Sequence, residues 1–318
     1  MSDRGDPVRR TLETVWRMES PRIIAVVTRM MGDVSLAEDA AQDAFEAALR
    51  RWPVKGVPDR PAAWLTAIAK RRAIDTLRRQ ATLDRKAAAL GHELALREPD
   101  ADELAAAIDD SAIDDDLLRL IFICCHPVLS VDARVALTLR LLGGLRTDEI
   151  ARAFLARDAT IGQRISRAKR TLAEARVPFE VPTGADFEAR LGSVLQVIYL
   201  IYNEGYTATS GEHWLRPALC EDALRLGRIL AALVPEEPEV HGLVALMEIQ
   251  SSRVRARTDT ETGAPIPLLE QERSRWDWLL VQRGLDALER ADTLPGSRGP
   301  YALQAAIAAC HARARTAE

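Results

Sequence analysis

Ile161, Ile165, Ala168 and Leu172 repeat at helical spacing, and the residues between them are those that could do chemistry. At 100° per residue, Gln163, Ser166, Arg167 and Arg170 fall on the face opposite this apolar stripe, with Arg164 and Lys169 on its flanks. Gln and Arg can pair bidentately with adenine and guanine edges, and flanking cations suit phosphates. A basic helix face is often no more than solvated, so this one gains meaning from what precedes it. Thr147 caps a short helix with Asp148 and Glu149 in its first turn. A break at Arg157-Asp158-Ala159 follows, and Thr160-Ile-Gly-Gln163 reads as a capping box that opens the basic helix. Two helices joined by a short turn, the second basic, make a helix-turn-helix. Its candidate DNA contacts are Thr160, Gln163, Arg164, Ser166, Arg167, Lys169 and Arg170.

A second basic stretch suits a different task. Residues 50–86 hold eleven Lys/Arg against three Asp/Glu. Trp52-Pro53 ends one helix, and the segment 53–61, with three prolines and a glycine, reads as a stiff loop. Pro61 then suits the first turn of a helix over 62–79. Opening a duplex requires a single strand to be held and an extruded base to be trapped, and a stiff loop can wall such a pocket. The candidates there are Lys55, Asp59, Arg60, Trp64, Lys70, Arg71, Arg72, Arg78 and Arg79. Trp52 and Trp64 flank the loop, either as stacking platforms or as core residues.

Other chemistries fare worse. Cys124-Cys125-His126 lies in an apolar stretch and matches no usual metal-ligand spacing, so these cysteines read as buried and no metal is expected. The aspartates at 109–110 and 114–116 lack the glycine and alternate spacing of a calcium loop and read as a solvated linker. No cofactor and no enzymatic activity are expected.

The elements that must position these groups are all helical. Ala, Leu and Arg dominate and aromatics are only 5%, which favours helix over sheet. The expected fold is all-α: two small helical DNA-binding domains, the second a helix-turn-helix, followed by a helical-hairpin C-terminal domain. Ser35-Leu-Ala-Glu38 reads as a capping box opening a helix with Ala37, Ala41, Ala44 and Ala48 on one stripe. Asp39, Asp43, Glu46 and Arg50 lie on the opposite face. In the second domain, 114–128 reads as one helix, and Ser130 caps another that ends at Gly143-Gly144. The C-terminal part reads as helices over 187–203, 216–234, 240–257, 268–291 and 300–313.

The net charge of -4 hides segregation. Residues 98–116 carry nine acids and no base, whereas 146–176 carry eight bases and four acids. Two basic islands around an acidic linker suggest two contacts with a polyanion. From 179 onward there are fourteen Arg, no Lys and twenty acids, a surface poorly suited to DNA. The N-terminus is polar, and no stretch approaches the roughly 18 apolar residues that span a bilayer. A cytoplasmic protein without membrane contact is therefore expected.

Three runs carry a resemblance: Ala37-Glu-Asp-Ala-Ala-Gln-Asp-Ala-Phe45, Ala63-Trp-Leu-Thr-Ala-Ile-Ala-Lys-Arg-Arg-Ala-Ile-Asp-Thr-Leu-Arg-Arg79 and Leu139-Arg-Leu-Leu-Gly-Gly-Leu-Arg-Thr-Asp-Glu-Ile-Ala151. In that order they resemble the sigma-70 family, and within it the extracytoplasmic-function class. The resemblance implies a region 2 over 10–80, an acidic linker over 81–112, and a region 4 helix-turn-helix over 113–177. It implies a factor that directs core RNA polymerase to promoters. Region 2 would dock on the β′ clamp helices through Asp39, Gln42, Asp43 and Glu46, and would read and melt the −10 element as a single strand. Region 4 would bind the β flap and read double-stranded −35 DNA. Many members have Asn before the second Arg of the run that here reads Ala69-Lys-Arg-Arg-Ala-Ile-Asp75, so the pocket transfers better than its specificity.

The part over 179–318 resembles the tetratricopeptide-like extension of one subgroup, whose opening matches Tyr199-Leu-Ile-Tyr-Asn-Glu-Gly-Tyr206. Members of that subgroup run further than 318 residues, which leaves open a truncated C-terminus. This extension is expected to regulate by protein contact, with Tyr199, Tyr202, Asn203, Glu204 and Tyr206 at its joint with the second domain. The alternative function is a helix-turn-helix regulator that never replaces a sigma subunit; strand-opening motifs are superfluous in such a protein.

Overall fold

The computed structural model describes residues 7–88, 110–207, 216–259, 264–296 and 298–314. Most of the acidic linker lies outside them. The chain divides into two compact units: Met1–Ala151 with Arg157–Arg190, and Arg152–Ala156 with Leu191–Glu318. Among the described residues there is no strand, only an isolated bridge between Thr258 and Pro265.

In the first unit, α1 (Pro7–Met31), α2 (Val34–Lys55) and α3 (Pro61–Ala88) pack together. The α2 stripe of Ala37, Ala41, Ala44 and Ala48 is fully buried, and its small side chains let the neighbouring helices approach closely. Leu12, Ile23, Ile24 and Val27 of α1 and Leu65 and Ile68 of α3 close the core. Burying each such side chain stabilises the fold by roughly 1.5–3 kcal/mol.

Two local readings are corrected here. The α2 N-cap is Asp33, whose carboxylate accepts from the Ser35 and Leu36 amides at 2.7 and 3.0 Å, so the helix starts before Ser35. Trp52-Pro53 does not stop it. The amide that Pro53 lacks falls in the last turn, and α2 continues to Lys55, where Gly56, at φ +85°, bonds back to the Trp52 carbonyl. The loop before Pro61 is correspondingly short.

The same unit contains α4 (Asp110–Cys124), α5 (Val131–Leu141), α6 (Thr147–Ala153) as far as Ala151, and α7 (Asp158–Glu174). Thus α4 stops at Cys124, four residues before the expected end. Ser130 caps α5 as expected, its Oγ accepting from the Ala133 amide. After α5 the chain turns through Gly144 at φ +70°, a conformation that favours glycine. The N-cap of α7 is Arg157, without a side-chain hydrogen bond. The helix therefore begins at Asp158, and Thr160 stands inside its first turn instead of capping it.

The helix α8 runs Ala185–Tyr206. Its first turn belongs to the first unit, where Phe187 packs on Phe122 (ring centroids 5.4 Å apart) and Arg190 donates to the Phe122 carbonyl at 3.1 Å. The second unit continues with α9 (Pro217–Leu233), α10 (Pro238–Ser251), α11 (Trp278–Thr293) and α12 (Pro300–Arg313). Apolar all round, α10 is buried nearly throughout and packs against α9, α11 and α12. The helix expected over 268–291 is broken: two short 3₁₀ turns, Leu268–Glu270 and Arg273–Arg275, precede α11, which Asp277 caps at Leu279 and Leu280.

Candidate nucleic-acid interface

The apolar stripe of α7 is seated in the core: Ile161, Ile165, Ala168 and Leu172 are all buried. Gln163, Ser166, Arg167 and Arg170 are exposed on the outer face, and Thr160 is exposed at its start. Arg164 on the flank pairs with Asp132 at 3.2 Å. This is a rigid helix presenting side chains that can read base edges, with its backbone fixed from behind.

Lys169 does not belong to that face. Its ammonium is held by the carboxylate of Glu38, and its side chain is only 14% exposed. The other oxygen of Glu38 accepts from Arg140 Nε at 2.6 Å, and Gln42 Nε2 adds a bond at 2.9 Å. One buried carboxylate in α2 thus joins two cations from α5 and α7. Burial works to raise the Glu38 pKa, but Lys169 and Arg140 together outweigh it and hold it below its ordinary value. A second buried carboxylate, Asp116 of α4, is shared by Arg29 of α1 at 2.8 Å and Arg119 at 2.7 Å. The reading of Asp114-Asp115-Asp116 as solvated linker is therefore wrong for Asp116, and Asp114 pairs with Arg22 at 3.4 Å. Sequence reasoning missed Glu38, Arg140, Asp116 and Arg29. The available signal was angular: Glu38 and Lys169 each fall at the edge of an apolar stripe, about 70–90° from its centre.

On α3, Arg72, Arg78 and Arg79 are exposed, with Lys70 and Arg71 half-buried. Burial, with Arg29 nearby, lowers the Lys70 pKa, and Asp116 opposes this. Lys55, Asp59 and Arg60 are exposed around the short loop. Trp64 is buried and meets Trp52 edge-on at 5.7 Å, so both tryptophans pack in the core of this chain.

Comparison with known proteins agrees with this layout. Sigma-70 region 2 matches residues 15–82, and sigma-70 region 4 matches residues 119–172. A probable extracytoplasmic-function RNA polymerase sigma factor, SigI of Mycobacterium tuberculosis, is 28% identical over 176 residues, covering 55% of this chain and 58% of the relative. The chain belongs to the sigma-70 family, extracytoplasmic-function type. Beyond the two sigma regions, residues 190–292 match a family of unknown function (DUF6596). An uncharacterized protein of Rhizobium meliloti (strain 1021) is 42% identical over 300 residues, 94% of this chain and 70% of the relative, so this sigma factor shares its added C-terminal part with that protein. No solved structure matches the chain.

Sigma factors bind core RNA polymerase and promoter DNA, and the sigma-70 families are DNA-binding regulators. On the outer face of α2 in this sigma factor, Asp39, Asp43 and Glu46 are exposed; Asp43 lies 4.0 Å from Arg72, and Glu46 pairs with Arg50 at 2.9 Å. Gln42 instead turns inward to Glu38. Cys124 and Cys125 are buried, which pushes the Cys124 thiol well up and the Cys125 thiol up to about 12. No group of metal-ligating side chains occurs among the described residues, and none of its helices is long and apolar enough to cross a membrane.

The tyrosines of α8 pack within the second unit. Tyr199 meets Tyr301 at 5.4 Å, and Tyr202 donates to the Met247 carbonyl at 3.1 Å and lies 3.0 Å from the Ser251 hydroxyl. Tyr206 donates to Gln250 at 2.8 Å. Asn203 is exposed, and Glu204 pairs at 2.5 Å with Arg216, which also donates to the carbonyl of Ala153, a residue of the same unit.

Proposed function

We propose that this sigma factor reads the −35 element with the outer face of α7 and the −10 element with the basic face of α3. It docks on the β′ clamp helices through Asp39, Asp43 and Glu46, while the second DNA-binding domain meets the β flap. The observation that carries this reading is the division of α7 into a buried stripe and an outer row of Gln163, Ser166, Arg167 and Arg170. It acts in the cytoplasm, on core polymerase and DNA. Run-off transcription with core polymerase and no other factor tests the reading; a chain that bound promoter DNA without supporting initiation would be a helix-turn-helix regulator instead.

Arg167→Ala should weaken the preferred −35 site by roughly 1–3 kcal/mol and relax preference at one base pair. Competition binding against single-base variants of the site checks this. Equal weakening on every sequence would make Arg167 a phosphate contact. The extension, with its excess of acids, acts on initiation by protein contact. Its contribution is tested by melting it in place, through the Gly242 variant described below.

A further inference from the structure

The second unit contains a cavity of about 420 Å³ that none of the sigma functions uses. Tyr206 at the end of α8, Gln250 of α10, Arg253 and Arg257 after it, Pro265–Leu268 and Gln271 line it. Arg253 is 9% exposed. Its Nη2 donates to the Tyr206 hydroxyl at 3.2 Å, and its guanidinium lies 5.8 Å from the Trp276 ring. Its Nε is buried and meets no acceptor, and among the described residues no carboxylate lies within 4.0 Å of it. A guanidinium buried without an anion is costly, because its desolvation is not offset.

A second cation stands beside it. Arg257 lies over the Tyr206 ring at 3.6 Å and donates to the Tyr206 carbonyl at 2.7 Å. Burial lowers the Arg257 pKa, and the charge of Arg253 adds to this against the opposing influence of Tyr206. Beside Gln250, whose Oε1 accepts from the Tyr206 hydroxyl, and Gln271, the rest of the lining is aromatic and apolar, through Tyr206, Pro265, Ile266, Pro267 and Leu268. Gln271 spends its amide nitrogen on the Ile266 carbonyl at 3.0 Å, which leaves its buried Oε1 without a donor. Among the described residues Arg253 therefore meets no anion and Gln271 Oε1 no donor, in a cavity within the size range of small-molecule sites.

We propose that this cavity binds a small organic carboxylate with an apolar body and a hydrogen-bond donor. Arg253 anchors the carboxylate, Arg257 supports it, the Tyr206 ring packs on the carbon skeleton and Gln271 Oε1 accepts from the donor. A planar guanidinium matches a carboxylate bidentately, and the mixed lining disfavours a fully hydrated phosphate.

The test uses the full-length chain, with acetate, benzoate, 4-hydroxybenzoate and inorganic phosphate as probes at constant ionic strength, followed by calorimetric titration and melting. 4-Hydroxybenzoate should bind saturably and raise the melting temperature, with benzoate weaker, acetate weaker still and phosphate inert. Arg253→Gln should weaken binding at least tenfold, while its ligand-free melting temperature stays the same or rises because an unpaired buried cation is gone. Should that variant fail to fold, Arg257→Gln should show the same loss of binding. Absence of saturable binding by every carboxylate, binding of phosphate alone, or wild-type affinity in the variants would each overturn the assignment.

Discussion

Glu38→Ala should lower the stability of the first unit by about 3 kcal/mol, the low end of the 3–5 kcal/mol typical for breaking a buried ion pair from one side. The carboxylate is nearly inaccessible and holds Arg140 and Lys169, whose side chains are 22% and 14% exposed. Removing it leaves two neighbouring cations that partial solvation relieves only in part, which is why the low end applies. For a unit of this size the melting midpoint should drop by roughly 6–12 °C. Glu46→Ala is the matched control, because Glu46 makes only an exposed pair with Arg50 and should change stability by less than about 0.5 kcal/mol. Calorimetry of both variants decides the point: similar midpoints would mean that the Glu38 cluster contributes no more than a surface pair.

The same residue sets a pH dependence. The folded pKa of Glu38 lies below its ordinary 4.5, so its contribution is fully present above that value and disappears as pH falls through the depressed one. The stability gap between wild type and Glu38→Ala should therefore be constant near neutrality and close as pH falls below 4.5 through the depressed folded pKa. The cluster also bears on DNA binding. While Glu38 holds Lys169, α7 presents Gln163, Ser166, Arg167 and Arg170 without it, which gives that helix one cation fewer for phosphates.

What could be read from the sequence follows the range of the forces involved. The stripe of α7, the Ser130 cap and the bounds of α12 rest on contacts three or four residues apart, and periodicity records those directly. Asp33 and Ser35 are both good N-caps two residues apart, and local grammar does not choose between them. The break before α11 was signalled by Asp277, an N-cap residue inside what otherwise reads as a continuous helical pattern. Glu38 with Lys169 and Asp116 with Arg29 are separated by 131 and 87 residues. Nothing in either local pattern states which helices meet, so a stripe-edge charge reads equally well as solvated or paired. Trp64 was ambiguous for a related reason: an aromatic at a helix start suits a base stack and a core alike, and its burial against Trp52 at 5.7 Å is not written in the local pattern.

Gly242→Val should destabilise the second unit by about 2–4 kcal/mol, combining overpacking with loss of a helix cap. A Cβ at this position would lie 2.7 Å from the Ala302 amide nitrogen and 2.8 Å from its Cα, and a backbone cannot swing aside as a flexible side chain can. Valine would therefore push α12 away from α10. That displacement also strains the Glu239 carboxylate, which accepts from the Tyr301 and Ala302 amides at 3.0 and 3.1 Å and neutralises the positive end of α12. Gly192→Ala is the contrasting change. No atom lies within 4 Å of its Cβ position in α8, so it should leave stability unchanged or raise it by about 0.5–1 kcal/mol. Melting curves of the two variants test the packing argument, and a Gly242→Val midpoint equal to wild type would refute it. The same variant tests regulation in the full chain. At a temperature where its second unit is melted and its first unit intact, run-off transcription should differ clearly from that of wild type. Equal transcription under that condition would reduce the added C-terminal part to a passive appendage of a sigma factor that works through its first unit alone.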